Sequence, residues 1–121
     1  MSLVVQKYGG SSLANPDLIR NVARRVASAH DRSGQVVATV SAMGDLTDDL
    51  LKIASQVSDR PDPRELDVLL STGELQSCAL VAMALRSIGK RAVSGNCPTI
   101  SPSHASIMSH PLVVKLVVPQ N

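Results

Sequence analysis

Apolar and polar positions along the chain switch between a short period and a long one. Leu3 to Tyr8 is a β-prone run closed by Gly9-Gly10, which predicts a strand entering a tight turn. From Asn15 the period lengthens. Ile19, Val22, Ala23, Val26 and Ala27 recur at helical spacing, while Arg20, Arg24 and Arg25 fall elsewhere and read as a solvated face. Asn15 suits an N-cap, Pro16 the first helical position and Asp17 the positive helix end. Gly34 follows the helix. Gln35 to Ala42 predicts a second strand, apolar enough to be buried on both faces. Leu46 to Val57 predicts a second helix with an apolar stripe of Leu50, Ile53, Ala54 and Val57, and with Thr47 as its expected N-cap. Pro61-Asp62-Pro63 breaks the chain. A short helix over Glu65–Leu70, a long buried one over Thr72–Ile88 and a third strand from Lys90 to Ser94 follow, with Gly89 closing the long helix. Strands alternating with helices predict parallel strands near 3–8, 36–41 and 91–94.

At 121 residues the chain is the size of one domain. Hydrophobic residues make up 44% and charged residues 18%, a globular balance. Tyr8 is the sole aromatic, so the core is built from Val, Leu, Ile, Ala and Met. With so few stacking platforms and a net charge of +2, no nucleic-acid partner is expected. No continuous apolar run reaches the ~20 residues that span a bilayer, and no secretory leader opens the chain. Cys78 and Cys97 then read as thiols of a cytoplasmic domain with no membrane partner.

Composition changes near residue 94. Residues 1–94 carry 21 of the 22 Asp, Glu, Lys and Arg side chains, and 95–121 carry only Lys115. The second segment instead holds Pro98, Pro102, Pro111 and Pro119 with serines, His104 and His110. It is expected to be a divergent, irregular tail, in which Leu112 to Val118 is the one stretch with strand character. His104 and His110 have poor ligand spacing, and Cys97 lacks a second ligand pair, so no metal site is expected.

Three junctions carry small polar residues where a strand is expected to hand over to a helix. They are Lys7-Tyr8-Gly9-Gly10-Ser11-Ser12, then Ser41 to Asp48, then Ser71-Thr72-Gly73-Glu74. In open α/β sheets ligands bind beyond the carboxyl ends of strands, where glycines admit anions to backbone N–H groups. A lysine there can neutralise phosphate charge. No Walker A spacing is present. Each residue also has a plainer role: Lys7-Tyr8-Gly9-Gly10 as a strand-ending turn, Thr47 as a cap, and Glu74 as an acid near a helix start. Asp45, Asp48 and Asp49 read as first-turn helix charge more simply than as a magnesium site.

VVQKYGGSSLA at 4–14, VSAMGDLTDDLL at 40–51 and ELDVLLSTGELQSCALVAMALRSIGKRAVS at 65–94 resemble, in order, the amino-terminal part of aspartokinases, within the amino acid kinase superfamily. The resemblance implies a three-layer α/β/α fold with a mainly parallel sheet, incomplete on its carboxyl-terminal side. It implies transfer of the ATP γ-phosphate to the side chain of L-aspartate, giving 4-phospho-L-aspartate, with Mg2+ accompanying ATP. By the same resemblance Lys7 is catalytic, and Lys7, Tyr8, Gly9, Gly10 and Ser41 bind the nucleotide. Thr47 and Glu74 hold aspartate, with Glu74 facing its ammonium group. The resemblance leaves room for homo-oligomers of the full-length family.

The likeness stops after Ser94, where the family continues into a Thr-Gly-x-Gln-Ala-Gly segment and this chain reads Gly95-Asn96-Cys97-Pro98-Thr99. The expectation is a truncated catalytic domain (1–94) with 95–121 translated out of frame and no regulatory domains, so the chain alone should turn over little aspartate. Glutamate 5-kinase, uridylate kinase and a non-catalytic fragment that binds phosphate or a partner remain the alternatives. Ser-Thr-Gly-Glu preceded by Leu-Asp favours the aspartate enzyme.

Overall fold

The computed structural model describes residues 2–95 and 112–116. Strand β1 spans Ser2–Tyr8 and runs into a single 3-10 turn at Gly10–Leu13. Helix α1 (Pro16–Ser33) starts as its sequence predicts: Asn15 accepts a hydrogen bond from the Leu18 N–H at 2.9 Å, and Pro16 opens the helix. Gly34, at φ +92°, ends it by donating its N–H to the His30 carbonyl. Strand β2 (Gly34–Val40) follows at once, then helix α2 (Leu46–Val57) and helix α3 (Pro63–Ser87). Strands β3 (Ala92–Gly95) and β4 (Leu112–Leu116) complete a sheet of order β1-β2-β4-β3.

Strands β1 and β2 pair in parallel, from Ser2 opposite Gly34 to Tyr8 opposite Val40, with α1 as the crossover. Strand β4 lies antiparallel to both β2 and β3, so β1, β2 and β3 share one direction, as a mainly parallel sheet requires, while β4 makes two of the three pairings antiparallel. The expected irregular tail over 95–121 therefore needs correction at Gly95, which ends β3, and at 112–116, which form a strand inserted between β2 and β3. The expectations for 96–111 and 117–121 lie outside the described residues.

Helices α1 and α3 pack together on one face of the sheet. Val36, Ala38 and Val40 of β2 meet Val22, Val26, Val81 and Leu85 in one core, together with Leu13, Cys78 and Ala92. Among the described residues nothing covers the other face. Leu3 and Val5 are 59% and 65% exposed and Val93 49%, so among the described residues only one helical layer of the three-layer arrangement is present. For the same reason β2 alternates buried and half-buried positions rather than being covered on both sides.

Two helix expectations change. The stretch expected to hold two helices is one, α3, unbroken through Ser71-Thr72-Gly73. Asp62 caps it by accepting from the Glu65 N–H at 3.1 Å. The hydroxyls of Ser71 and Thr72 donate to the carbonyls of Val68 and Leu69, which removes their reason to break the helix. By length and composition α3 is apolar enough to cross a membrane, yet its buried side (Gly73, Ser77, Cys78, Val81, Ala82, Leu85) belongs to the core. Helix α2 begins after Asp45, so Thr47 lies inside its first turn and is not the cap. Of the expected stripe on α2, Ile53 and Val57 are exposed, and the helix leans on α3 through a half-buried side.

Candidate functional site

Lys7 is exposed in the last turn of pleat before the glycines, opposite Thr39. Tyr8 points the other way, as strand alternation demands, and is buried. Its hydroxyl donates to Gln6 Oε1 at 2.8 Å. Burial raises the phenol above its ordinary range, and the Arg25 charge pulls against that rise. The Tyr8 side chain is thus a core element, and only its backbone faces the turn.

Gly9 has ordinary extended backbone (φ −80°, ψ 171°) and its carbonyl accepts from the Ser12 N–H at 3.1 Å. Gly10 is tied to the next junction. Its carbonyl accepts from the Gly44 N–H at 2.9 Å, and one residue before the turn the Tyr8 carbonyl accepts from the Ser41 N–H at 3.2 Å. The turns after β1 and β2 are therefore laced together by backbone hydrogen bonds. Gly44 adopts φ +50°, a left-handed conformation that favours glycine and lets the loop double back into α2.

The third segment meets the same point from α3. A Cβ placed on Gly73 would lie 3.0 Å from the Ala42 Cβ and 3.2 Å from Leu46 Cδ2. The missing side chain allows α3 to sit against the β2–α2 loop, which explains a glycine in mid-helix. Gly10, Ala42 and Gly73 thus form one small-residue junction beyond the carboxyl ends of β1 and β2. The sequence places Ala42, Gly44 and Gly73 inside two of the three junctions without giving any of them a role of its own. The run of small residues in Ser41-Ala42-Met43-Gly44 and the glycine inside an otherwise helical pattern were the available clues.

Around this junction the expected site residues divide. Gly10, Ser41 and, through its neighbour Gly73, Glu74 belong to the three segments that meet there. Thr47 is exposed one residue beyond Leu46, as are Asp48 and Asp49 in the same first turn. Glu74 sits in the middle of α3 rather than at a helix start, so the helix dipole does not explain it. It is half-buried, and desolvation lifts its carboxyl above the usual carboxylate range. Cys78, one turn later and buried, is pushed up to about 12 by burial and then by the Glu74 charge. Among the described residues no three His, Cys, Asp or Glu side chains gather as a metal site. Behind the junction, Met43, Leu80, Met83 and Ile19 line an apolar cavity of about 400 Å³ that none of the expected site residues touches.

The family model described as the amino acid kinase family matches residues 2–115. The aspartokinase of Mycobacterium tuberculosis H37Rv is 57% identical over 94 residues, which is 78% of this chain and 22% of that protein. The aspartokinase of Corynebacterium glutamicum is 53% identical over the same shares. Among solved structures, an aspartate kinase from Synechocystis matches with a TM-score of 0.70 at 45% identity, covering 73% of this chain and 15% of that one. The chain spans about a fifth of the length of the curated relatives it matches.

Proposed function

The chain belongs to the amino acid kinase family, and from that premise we propose that it carries the amino-terminal part of an aspartate kinase catalytic domain. The reaction is transfer of a phosphoryl group from ATP to L-aspartate. A side-chain carboxylate oxygen attacks the γ-phosphorus, the bond to the β,γ-bridging oxygen breaks, and ADP leaves with that electron pair. The product, 4-phospho-L-aspartate, is an activated acyl phosphate at the entry to lysine, methionine and threonine synthesis. Such a transfer calls for positioning and charge neutralisation more than for covalent catalysis.

In this reading Lys7 neutralises charge on the transferring phosphate, while the backbone of Tyr8, Gly9 and Gly10 and the Ser41 hydroxyl hold the phosphate chain. Thr47 and Glu74 hold aspartate. The observation that carries the reading is the junction of Gly10, Ala42 and Gly73, since it ties the lysine-bearing turn to the helix that bears Glu74. Among the described residues no cation pairs with the partly desolvated Glu74 carboxylate, and the ammonium group of aspartate would supply one. Magnesium brought by ATP would add positive charge beside Lys7.

Calorimetric titration of the 121-residue chain tests this proposal. MgATP and L-aspartate should each bind, with Lys7→Ala weakening the nucleotide and Glu74→Gln weakening aspartate, each by about tenfold or more, as loss of a charged hydrogen bond implies. Glutamate or UMP binding as well as aspartate would move the assignment to another acceptor. Absence of binding by both substrates to the folded chain would overturn it.

A further inference from the structure

The three arginines of α1 do not share one fate. Arg20 pairs with Asp17 on the outer face. Arg24 and Arg25 join none of the ion pairs among the described residues. Together with Ser12, Leu18, Asn21 and Val22 they line a cavity of about 440 Å³ between the 3-10 turn and α1. Val22 is buried and Leu18 half-buried, so one wall is apolar. The Ser12 side chain is half-buried on the other wall. The Arg24 guanidinium donates to Asn21 Oδ1 at 2.6 Å, which holds it along the helix without neutralising it. Arg25 is near enough to the buried Tyr8 ring to act on its phenol electrostatically. Among the described residues no carboxylate lines the cavity.

Arg24 and Arg25 are both exposed, and two like charges lining one cavity are eased when an anion binds there. Their planar forks match the oxygens of a phosphate, and a serine hydroxyl can add a further donor. The volume falls within the range of small-molecule sites and leaves room beside Leu18 and Val22 for an apolar group or a ring. We propose that this cavity is a second anion site, distinct from the Lys7-Gly9-Gly10 turn, and that it takes a small molecule bearing a phosphate group. It does not depend on the aspartate kinase reading, because none of its lining residues serves that reaction.

The test uses the full 121-residue chain and two probes, inorganic phosphate and phenyl phosphate, followed by nitrogen-15 NMR of backbone amides and arginine Nε–Hε groups. Saturable shifts are expected at the Ser12 amide and at Arg24 and Arg25, with phenyl phosphate the tighter ligand. Arg24→Gln with Arg25→Gln should weaken both probes by about tenfold or more. Arg25→Lys keeps the charge but loses the fork, and should weaken binding less. Lys7→Ala should leave these shifts unchanged. Unsaturable shifts, or equal affinity in the double glutamine variant with an unchanged melting temperature, would overturn the proposal, as would shifts confined to residues 7–10.

Discussion

The position that a Cβ on Gly10 would occupy lies 2.8 Å from the carbonyl oxygen of Ala42. That oxygen belongs to the backbone of a loop already held to Gly10 by the Gly44 hydrogen bond, so it has little room to retreat. Gly10→Ala should therefore destabilise the chain by about 1–3 kcal/mol, the usual cost of overpacking. Gly9 offers the contrast: nothing lies within 4 Å of its Cβ position, and its backbone suits any residue. Gly9→Ala should change stability by less than about 0.5 kcal/mol. Urea midpoints of the two variants check this, and equal effects would contradict the close approach at Gly10. If Gly9→Ala keeps its stability but binds ATP less well, glycine at that position serves the ligand.

Gly73 faces two opposed terms. Alanine in a helix interior is favoured over glycine by about 1 kcal/mol, yet here its Cβ would meet Ala42 and Leu46 at 3.0 and 3.2 Å. The overlap should win, because Ala42 is buried and cannot move aside. Gly73→Ala is expected to lower stability, and to cost about 1 kcal/mol less when Ala42→Gly is also present, a coupling typical of touching residues. Strict additivity of the two changes would place α3 away from the loop.

Glu74 sets a pH dependence. Its carboxyl is raised by desolvation, so the folded chain holds that proton to higher pH than the unfolded chain does. Below both values the carboxyl is protonated in either state and costs nothing. As pH rises through the interval between them, the unfolded state releases its proton first and stability falls. Glu74→Gln should therefore be more stable than the parent at neutral pH and equal to it below about pH 4. Thermal melts across that range, compared at matched ionic strength, provide the check. A parent that gains on the variant as pH rises would contradict the assignment.

The open face of the sheet makes a prediction about association. Leu3 and Val5 stand exposed side by side with every second residue of β1. Exposed apolar patches of this kind recruit other surfaces. Leu3→Thr with Val5→Thr should raise the concentration at which light scattering appears, and lower the fluorescence of a bound apolar dye. Threonine retains strand preference, so the melting temperature should hardly move. No change in scattering would mean that this face is covered in solution.

Much of the frame was legible in the chain itself. The Asn15-Pro16-Asp17 cap, the apolar stripe of α1 and the parallel pair β1–β2 follow from local pattern and crossover length. Thr72-Gly73 misled, because a polar residue and a glycine inside a helix look like a boundary when the partner is unseen. The partner is Ala42, thirty-one positions earlier, and no local rule connects the two. Thr47 misled for a smaller reason: α2 begins at Leu46 as its pattern predicts, which puts the cap at Asp45 and Thr47 inside the first turn. The insertion of β4 between β2 and β3 depends on long-range register, which composition cannot reveal. At the site, the Lys7-Gly9-Gly10 turn was visible as a strand end, whereas the buried Tyr8 and the mid-helix place of Glu74 required the fold.

The central claim is that residues 1–94 supply the phosphate-holding lysine and the aspartate-holding carboxylate of an aspartate kinase. Its most direct test grafts these residues onto the remainder of the Mycobacterium tuberculosis relative, in place of the matching segment, and measures aspartyl hydroxamate formation with ATP, Mg2+, aspartate and hydroxylamine. The graft should turn over aspartate and not glutamate. Lys7→Ala should lower kcat by at least about a hundredfold, in the range for removing one preorganised charge donor, and Glu74→Gln should act chiefly through the KM for aspartate. A folded graft that forms no hydroxamate, or one whose turnover survives Lys7→Ala, would contradict the account.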